Sequence, residues 1–209
     1  MANNEELKTV EEYAAEEAKL REESQFRRIV VIGAGGVGFW LTAALARARL
    51  KQPIMIFDAD TFEGGHGHER LPYVYDRARY KVEQLYDFIA MILNEEPPKT
   101  YPYRLTIPMV QDLITPTDLV VDCTDMDLGP RRLLWEALRA TAKAVIRVSY
   151  DGNGIVVVSN GLPFGPDEAP GGYDRIPSFA QSLRAGGTGA EVVLKMLKGD
   201  KFSDLQMEV

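Results

Sequence analysis

The 209-residue chain is predicted to be an α/β protein whose mixed sheet is parallel in its first half and partly antiparallel in its second, with helices on both faces. Three observations carry that prediction. Unbroken β-branched runs, Ile29-Val30-Val31-Ile32 first among them, suit strands buried on both sides, as parallel strands are. These runs alternate with stretches of helical period, Phe39 to Ala48 and Val82 to Leu93, in the order of a βαβ sheet. Later, the apolar runs 144–148 and 154–158 are separated only by Ser149 and Tyr150-Asp151-Gly152-Asn153, a hairpin-type connection that makes its strands antiparallel.

Taken in order, residues Glu5 to Glu23 carry eight glutamates among Ala, Leu and Lys, with a thin apolar stripe at Leu7, Val10, Ala14 and Ala18. This predicts an acidic helix over 1–27, either a solvated arm or a helix packed on a partner subunit. Arg21, Arg27 and Arg28 before the first strand are placed to reach phosphate or to stay in water. After that strand comes Gly33-Ala34-Gly35-Gly36-Val37-Gly38. Its glycines let the backbone turn sharply and approach a bound phosphate, and the next helix offers free N–H groups at its positive end. The second strand, Pro53 to Phe57, ends at Asp58, where a carboxylate accepts ribose hydroxyls. Strand, glycines, helix, strand and acid in that order predict a Rossmann-like nucleotide-binding unit.

Asp58 to Tyr75 has no usable period, and its glycines and proline mark a loop at the ligand-binding ends of the strands. His66, His68 and Glu69 in it make a poor metal-ligand pattern, whereas Arg70 suits bidentate phosphate binding. Asp76 to Asn94 is predicted as a helix with Lys81 in its first turns, stopped by Pro97-Pro98. Tyr101 to Ile107 is expected to be a short strand near an edge, given Pro102. Asp118 to Asp125 is expected to be a buried strand whose final acids, Asp122 and Asp125, lie at the ligand edge. Pro130 to Leu138 is helical, with proline tolerated in the first turn. Asn160 to Pro177 is a mobile crossover or a substrate-side lid. A last helix starts at Ser178, with an interruption expected at Gly186-Gly187 and resumption over Ala190 to Leu197.

Composition narrows the function. A net charge of -7 and no basic run argue against a nucleic-acid partner. The single Cys123 excludes a disulfide framework and a zinc site built from paired cysteines. No apolar run approaches the ~20 residues of a membrane span, and the N-terminus is not that of a signal peptide, so no membrane association and a cytoplasmic location are expected. One main domain over 28–198 is expected, between the acidic helix and a C-terminal tail at 199–209.

With these residues in view, the chain resembles the ThiF/MoeB/E1 adenylating enzymes from about residue 28 to residue 198. The family pattern is G-x-G-G-x-G, then D-x-D-x-V-x-x-x-N-x-x-R, a Lys on the next helix, an Asn-Pro, and D-x-x-D-N after a later strand. The chain offers Gly33, Gly35, Gly36 and Gly38, Asp58 and Asp60, Arg70, Lys81, Asn94, and Asp122-Cys123-Thr124-Asp125. The resemblance implies ATP and magnesium as cofactors, with ribose on Asp58, phosphates on Arg70 and Lys81, and magnesium on Asp125. It also implies a ubiquitin-like or small protein or peptide partner whose C-terminal carboxylate is activated, and a homodimer. The chain departs from the pattern where the family has Asn, with Gly67 or a neighbouring His in its place, and at Met126, which follows the Asp that the resemblance implies binds metal. It also lacks a thioester-forming cysteine in the crossover, so adenylation is expected to be its terminal activity. The alternatives are a catalytically inactive E1-like partner subunit and an NAD-dependent oxidoreductase, which would use the same glycine turn and Asp58.

Overall fold

The computed structural model describes residues 24–62, 79–150, 156–159, 179–200 and 205–207. In chain order these form β1 (Arg28–Ile32), α1 (Gly36–Arg47), β2 (Ile54–Phe57), α2 (Lys81–Asp87), β3 (Lys99–Tyr101), α3 (Ile107–Leu113), β4 (Asp118–Asp122), α4 (Leu128–Thr141), β5 (Ala144–Tyr150), β6 (Val156–Ser159), α5 (Phe179–Leu197) and β7 (Leu205–Met207). The strands make one sheet in the order β3-β2-β1-β4-β5-β6-β7. The first five positions are joined by parallel pairs, and β5-β6 and β6-β7 are antiparallel. The predicted mixed sheet is therefore the observed one.

β1 sits at the centre because its side chains are apolar on both faces. Ile29 and Val31 pack with α1, α2 and α5 on one side, while Val30 and Ile32 pack with α3 and α4 on the other. Each such side chain, removed from water, contributes about 1.5–3 kcal/mol. At the amino end of the sheet Arg28 makes a two-pronged ion pair with buried Asp118 of β4, with Nε and Nη2 at 3.0 and 2.5 Å from the two carboxylate oxygens. Arg28 thus serves neither phosphate nor solvent; it is spent at the end of the sheet opposite the strand termini where ligands bind. No helix among the described residues is long and apolar enough to cross a membrane.

Local expectations change at several points. The strand expected over 101–107 is shifted: β3 ends at Tyr101 before Pro102, and Ile107 opens α3, with Thr106 extended before it and Pro108 in its first turn. Proline here stops one element and starts another, and β3 does lie at the sheet edge. The helix bearing Lys81 starts at Lys81 itself and continues as a π-helical turn over Phe88–Ile92, ending where Asn94 takes a left-handed φ of 52°. Finally, α5 runs through Gly186-Gly187 without a break. A Cβ on Gly186 would lie 2.6 Å from Trp40 Cβ and 2.7 Å from the Leu41 nitrogen, so its glycine brings α5 onto α1 rather than ending it. The stretch 199–209, expected as a tail, contains β7.

Candidate functional site

Four strand ends finish level. Ile32 lies beside both Phe57 and Asp122, and the ladder continues one residue further: Gly33 N donates to Phe57 O at 2.8 Å, Cys123 N to Ile32 O at 2.8 Å and Asp58 N to Tyr101 O at 3.1 Å. The chain leaves β1 in one direction along the sheet, towards β2 and β3, and resumes on its other side with β4. In open α/β sheets the crevice at such a reversal is where ligands bind.

The glycine loop fits this position closely. Gly33 has φ +94°, the left-handed region that favours glycine, and a Cβ there would touch the Cys123 carbonyl at 3.0 Å. A Cβ on Gly38 would come within 1.8 Å of Gly33 O, so the first turn of α1 rests directly on the loop. Gly35 precedes α1 with no side-chain cap, and no acid occupies the first turn. The first N–H groups of the helix and its positive end are left to meet an anion.

Asp58 is held by this loop. Its Oδ2 accepts the Ala34 N–H at 2.6 Å and its Oδ1 the Asp60 N–H at 2.7 Å. Burial pushes its carboxyl above the ordinary range, while the two N–H bonds and the Lys81 charge pull it back. A carboxylate has about four lone-pair sites, so two remain for hydroxyl donors. Lys81 arrives through a short antiparallel contact in which Thr61 faces Tyr80 and the Lys81 N–H donates to Asp60 O at 2.9 Å. Its side chain is 13% exposed, and Nζ lies 3.4 Å from Asp60 Oδ2. Lys81 lines one small, partly open cavity with Ala34, Gly35, Gly36, Phe39, Trp40, Phe62 and Gln84. The structure therefore brings together Gly35 and Gly36 from the β1–α1 turn, Asp58 and Asp60 from just after β2, and Lys81 from the start of α2.

The two acids at and beyond the end of β4 separate. Asp122, expected at the ligand edge, is fully buried: Oδ2 accepts Trp135 Nε1 at 2.6 Å and Oδ1 accepts the Thr124 N–H and hydroxyl at 2.9 and 2.7 Å. Asp122 is the last residue of β4, and its side chain points into the layer beneath the sheet, where Trp135 meets it. Asp125, three residues on, is exposed. No group of three His, Cys, Asp or Glu side chains that could hold a metal occurs among the described residues. One exposed carboxylate suits magnesium that keeps its waters and arrives with substrate phosphates. Burial and the Asp122 charge push the Cys123 thiol far above its usual range, which suits a packing residue rather than a nucleophile. Arg70, His66, His68, Glu69 and Arg21 lie outside the described residues, as does the segment expected as a crossover. The sequence survey passed over Arg147, 5% exposed and paired with Asp122; a charge inside the apolar run Val145-Ile146-Arg147-Val148 was its signal.

The family model described as the ThiF family matches residues 10–168. Among solved structures, that of E. coli MccB with AMPCPP and MccA superposes with a TM-score of 0.69 at 14% identity, covering 94% of this chain and 67% of that one. The Microcin C7 biosynthetic enzyme MccB in complex with N-formylated MccA gives 0.69, also at 14%, with 94% and 68% covered. PaaA gives 0.65 at 14% identity, covering all of this chain and 77% of that one. At such identities the likeness is one of fold, and the chain spans about two thirds of the MccB length. No curated protein sequence matches it.

Proposed function

The chain belongs to the ThiF family, and from that premise we propose that it is an ATP-dependent adenylyltransferase that activates the C-terminal carboxylate of a peptide or small ubiquitin-like protein as an acyl-adenylate. The observation that carries this is the cavity in which the glycine loop, its uncapped helix and Lys81 meet, with Asp60 paired to Lys81 and Asp58 bonded to the loop. MccB, whose fold the chain shares, has been crystallised with ATP and with MccA.

In the reaction, a carboxylate oxygen of the partner attacks the α-phosphorus of ATP. The bond from that phosphorus to the bridging oxygen breaks, and pyrophosphate leaves with the electron pair. The attacking group is already an anion at neutral pH, so no side-chain base is needed; what the site must supply is positive charge against the crowding anions. Lys81 supplies it at the phosphates, together with Arg70 and the first N–H groups of α1. Asp58 orients the ribose and, through Ala34, the loop itself. Asp125 would hold magnesium, which offsets charge on the leaving pyrophosphate. Cys123, the only cysteine, is kept a thiol by burial, which supports an enzyme that stops at the adenylate without a thioester. The cytoplasmic, homodimeric protein that this reading describes would sediment as two copies.

A second reading, a non-catalytic partner subunit, draws on Met126, which stands where the family pattern has Asn and packs against the core beneath the sheet. Thermal unfolding separates the readings. Magnesium-ATP at about a hundred times its dissociation constant should raise Tm by roughly 5–10 °C, and chelator or Lys81→Ala should abolish most of that rise. Lys81→Ala and Asp125→Ala should each slow adenylate formation about a hundredfold or more, measured as pyrophosphate exchange with a carboxylate partner. A Tm rise with NAD alone would make the chain an oxidoreductase. No rise with either nucleotide would make it the partner subunit.

A further inference from the structure

Two of the buried charges among the described residues, Asp122 and Arg147, lie under one turn. Asp122 and Arg147 are side-by-side partners on the parallel strands β4 and β5, 0% and 5% exposed, with Nη1 3.5 Å from Oδ2. The same Nη1 donates to Thr124 O at 3.3 Å. Thr124 is thus held by all three of its polar groups: its N–H and hydroxyl by Asp122, its carbonyl by Arg147. Trp135 reaches up from α4 to the other Asp122 oxygen, 2.6 Å away. Taking two charges out of water is costly, and an apolar pair of similar volume is often as stable or more so, so stability alone does not account for this arrangement. What it does fix is the turn between two residues of the site. On one side Cys123 presses its carbonyl against Gly33 of the glycine loop; on the other, Thr124 leads directly into Asp125.

We propose that Thr124, clamped by Asp122 and Arg147, is a positioning residue that holds the Asp125 carboxylate where it meets magnesium at the nucleotide. This rests on the adenylyltransferase reading above. Groups that orient a metal ligand from behind typically govern metal affinity by 10–100-fold. The clamp holds Thr124 at its N–H, hydroxyl and carbonyl, while Asp125 itself stays exposed.

Trp135 gives the clamp a signal of its own. The chain has two tryptophans, so a nitrogen-labelled sample shows two indole N–H resonances, and Trp40→Phe identifies the one belonging to Trp135. In the full chain loaded with ATP, magnesium should shift the Trp135 resonance, and Asp125→Ala should remove the shift. Thr124→Val keeps the shape of the side chain and loses the hydroxyl. It should raise the magnesium concentration for half-maximal Tm rise about tenfold, with the urea midpoint little changed, and Thr124→Ser should restore it to within about twofold. A Thr124→Val protein with an unchanged magnesium requirement overturns the positioning role, as does a Trp135 resonance that stays still while magnesium binds. Wild type that gives no Tm response to magnesium-ATP overturns the adenylyltransferase reading, and this inference with it.

Discussion

Between β1 and α1 the glycines sit where the chain turns, and one of them, Gly33, occupies a φ of +94°. In α5 the glycines sit inside an unbroken helix with no positive φ among them. In the strand-to-helix turn the residue type serves both the backbone and the neighbours. In α5 it serves the neighbours alone: Gly186 meets Trp40 and Leu41 of α1, and Gly189 meets Leu41 and Val148. Glycine in a helix costs about 1 kcal/mol relative to alanine, so its presence at 186 and 189 is a cost accepted for close helix approach. Where nothing faces it, as at Gly187, the same cost has no return in the structure.

Alanine substitution breaks this comparison at graded points. Gly38→Ala is expected to have the largest effect, because its Cβ would fall 1.8 Å from the Gly33 carbonyl oxygen and backbone must move. A loss above about 3 kcal/mol in urea unfolding, together with loss of the ATP-dependent Tm rise, is the expected outcome. Gly186→Ala follows, at about 1–3 kcal/mol of overpacking less the ~1 kcal/mol gained in helix propensity, with the nucleotide response retained. Gly36→Ala meets a movable group, Ser182 Oγ at 2.6 Å, so about 1 kcal/mol is expected, part of it recovered by pairing with Ser182→Ala. Gly187→Ala should stabilise by about 0.5–1 kcal/mol, since its Cβ would point into open space. If Gly186→Ala and Gly187→Ala shift the urea midpoint alike, the close approach of α1 and α5 is not what holds Gly186 as glycine.

Much of the first half was legible because its signals are local. Four consecutive β-branched residues need no partner to declare a doubly buried strand, and a glycine loop followed by an apolar helix and then Asp58 carries its own order. The candidate site was legible to the same degree at Asp58, Asp60 and Lys81, which the structure gathers at one edge. The acids at and beyond the end of β4 were less so. Asp122 and Asp125 look alike in sequence, and they part only because β4 ends between them and Trp135 and Arg147 wait beneath the first. Pro102 and Pro108 show the same limit: each fits the end of one element or the start of another, and the choice falls to the chain around them.

The sequence by itself determined the alternation of strands and helices outside α3 and β7, the glycine loop with its acid, the absence of paired cysteines and the parallel-then-antiparallel character of the sheet. These follow from periodicity, backbone freedom and composition, which act within a few residues. Tertiary structure alone decided that α5 crosses α1 through its glycines, that Arg28 is spent on Asp118, and that of two acids one is a buried brace and the other is exposed. Those outcomes depend on residues tens of positions apart meeting within a few ångströms, and no local pattern encodes which neighbour a side chain will find.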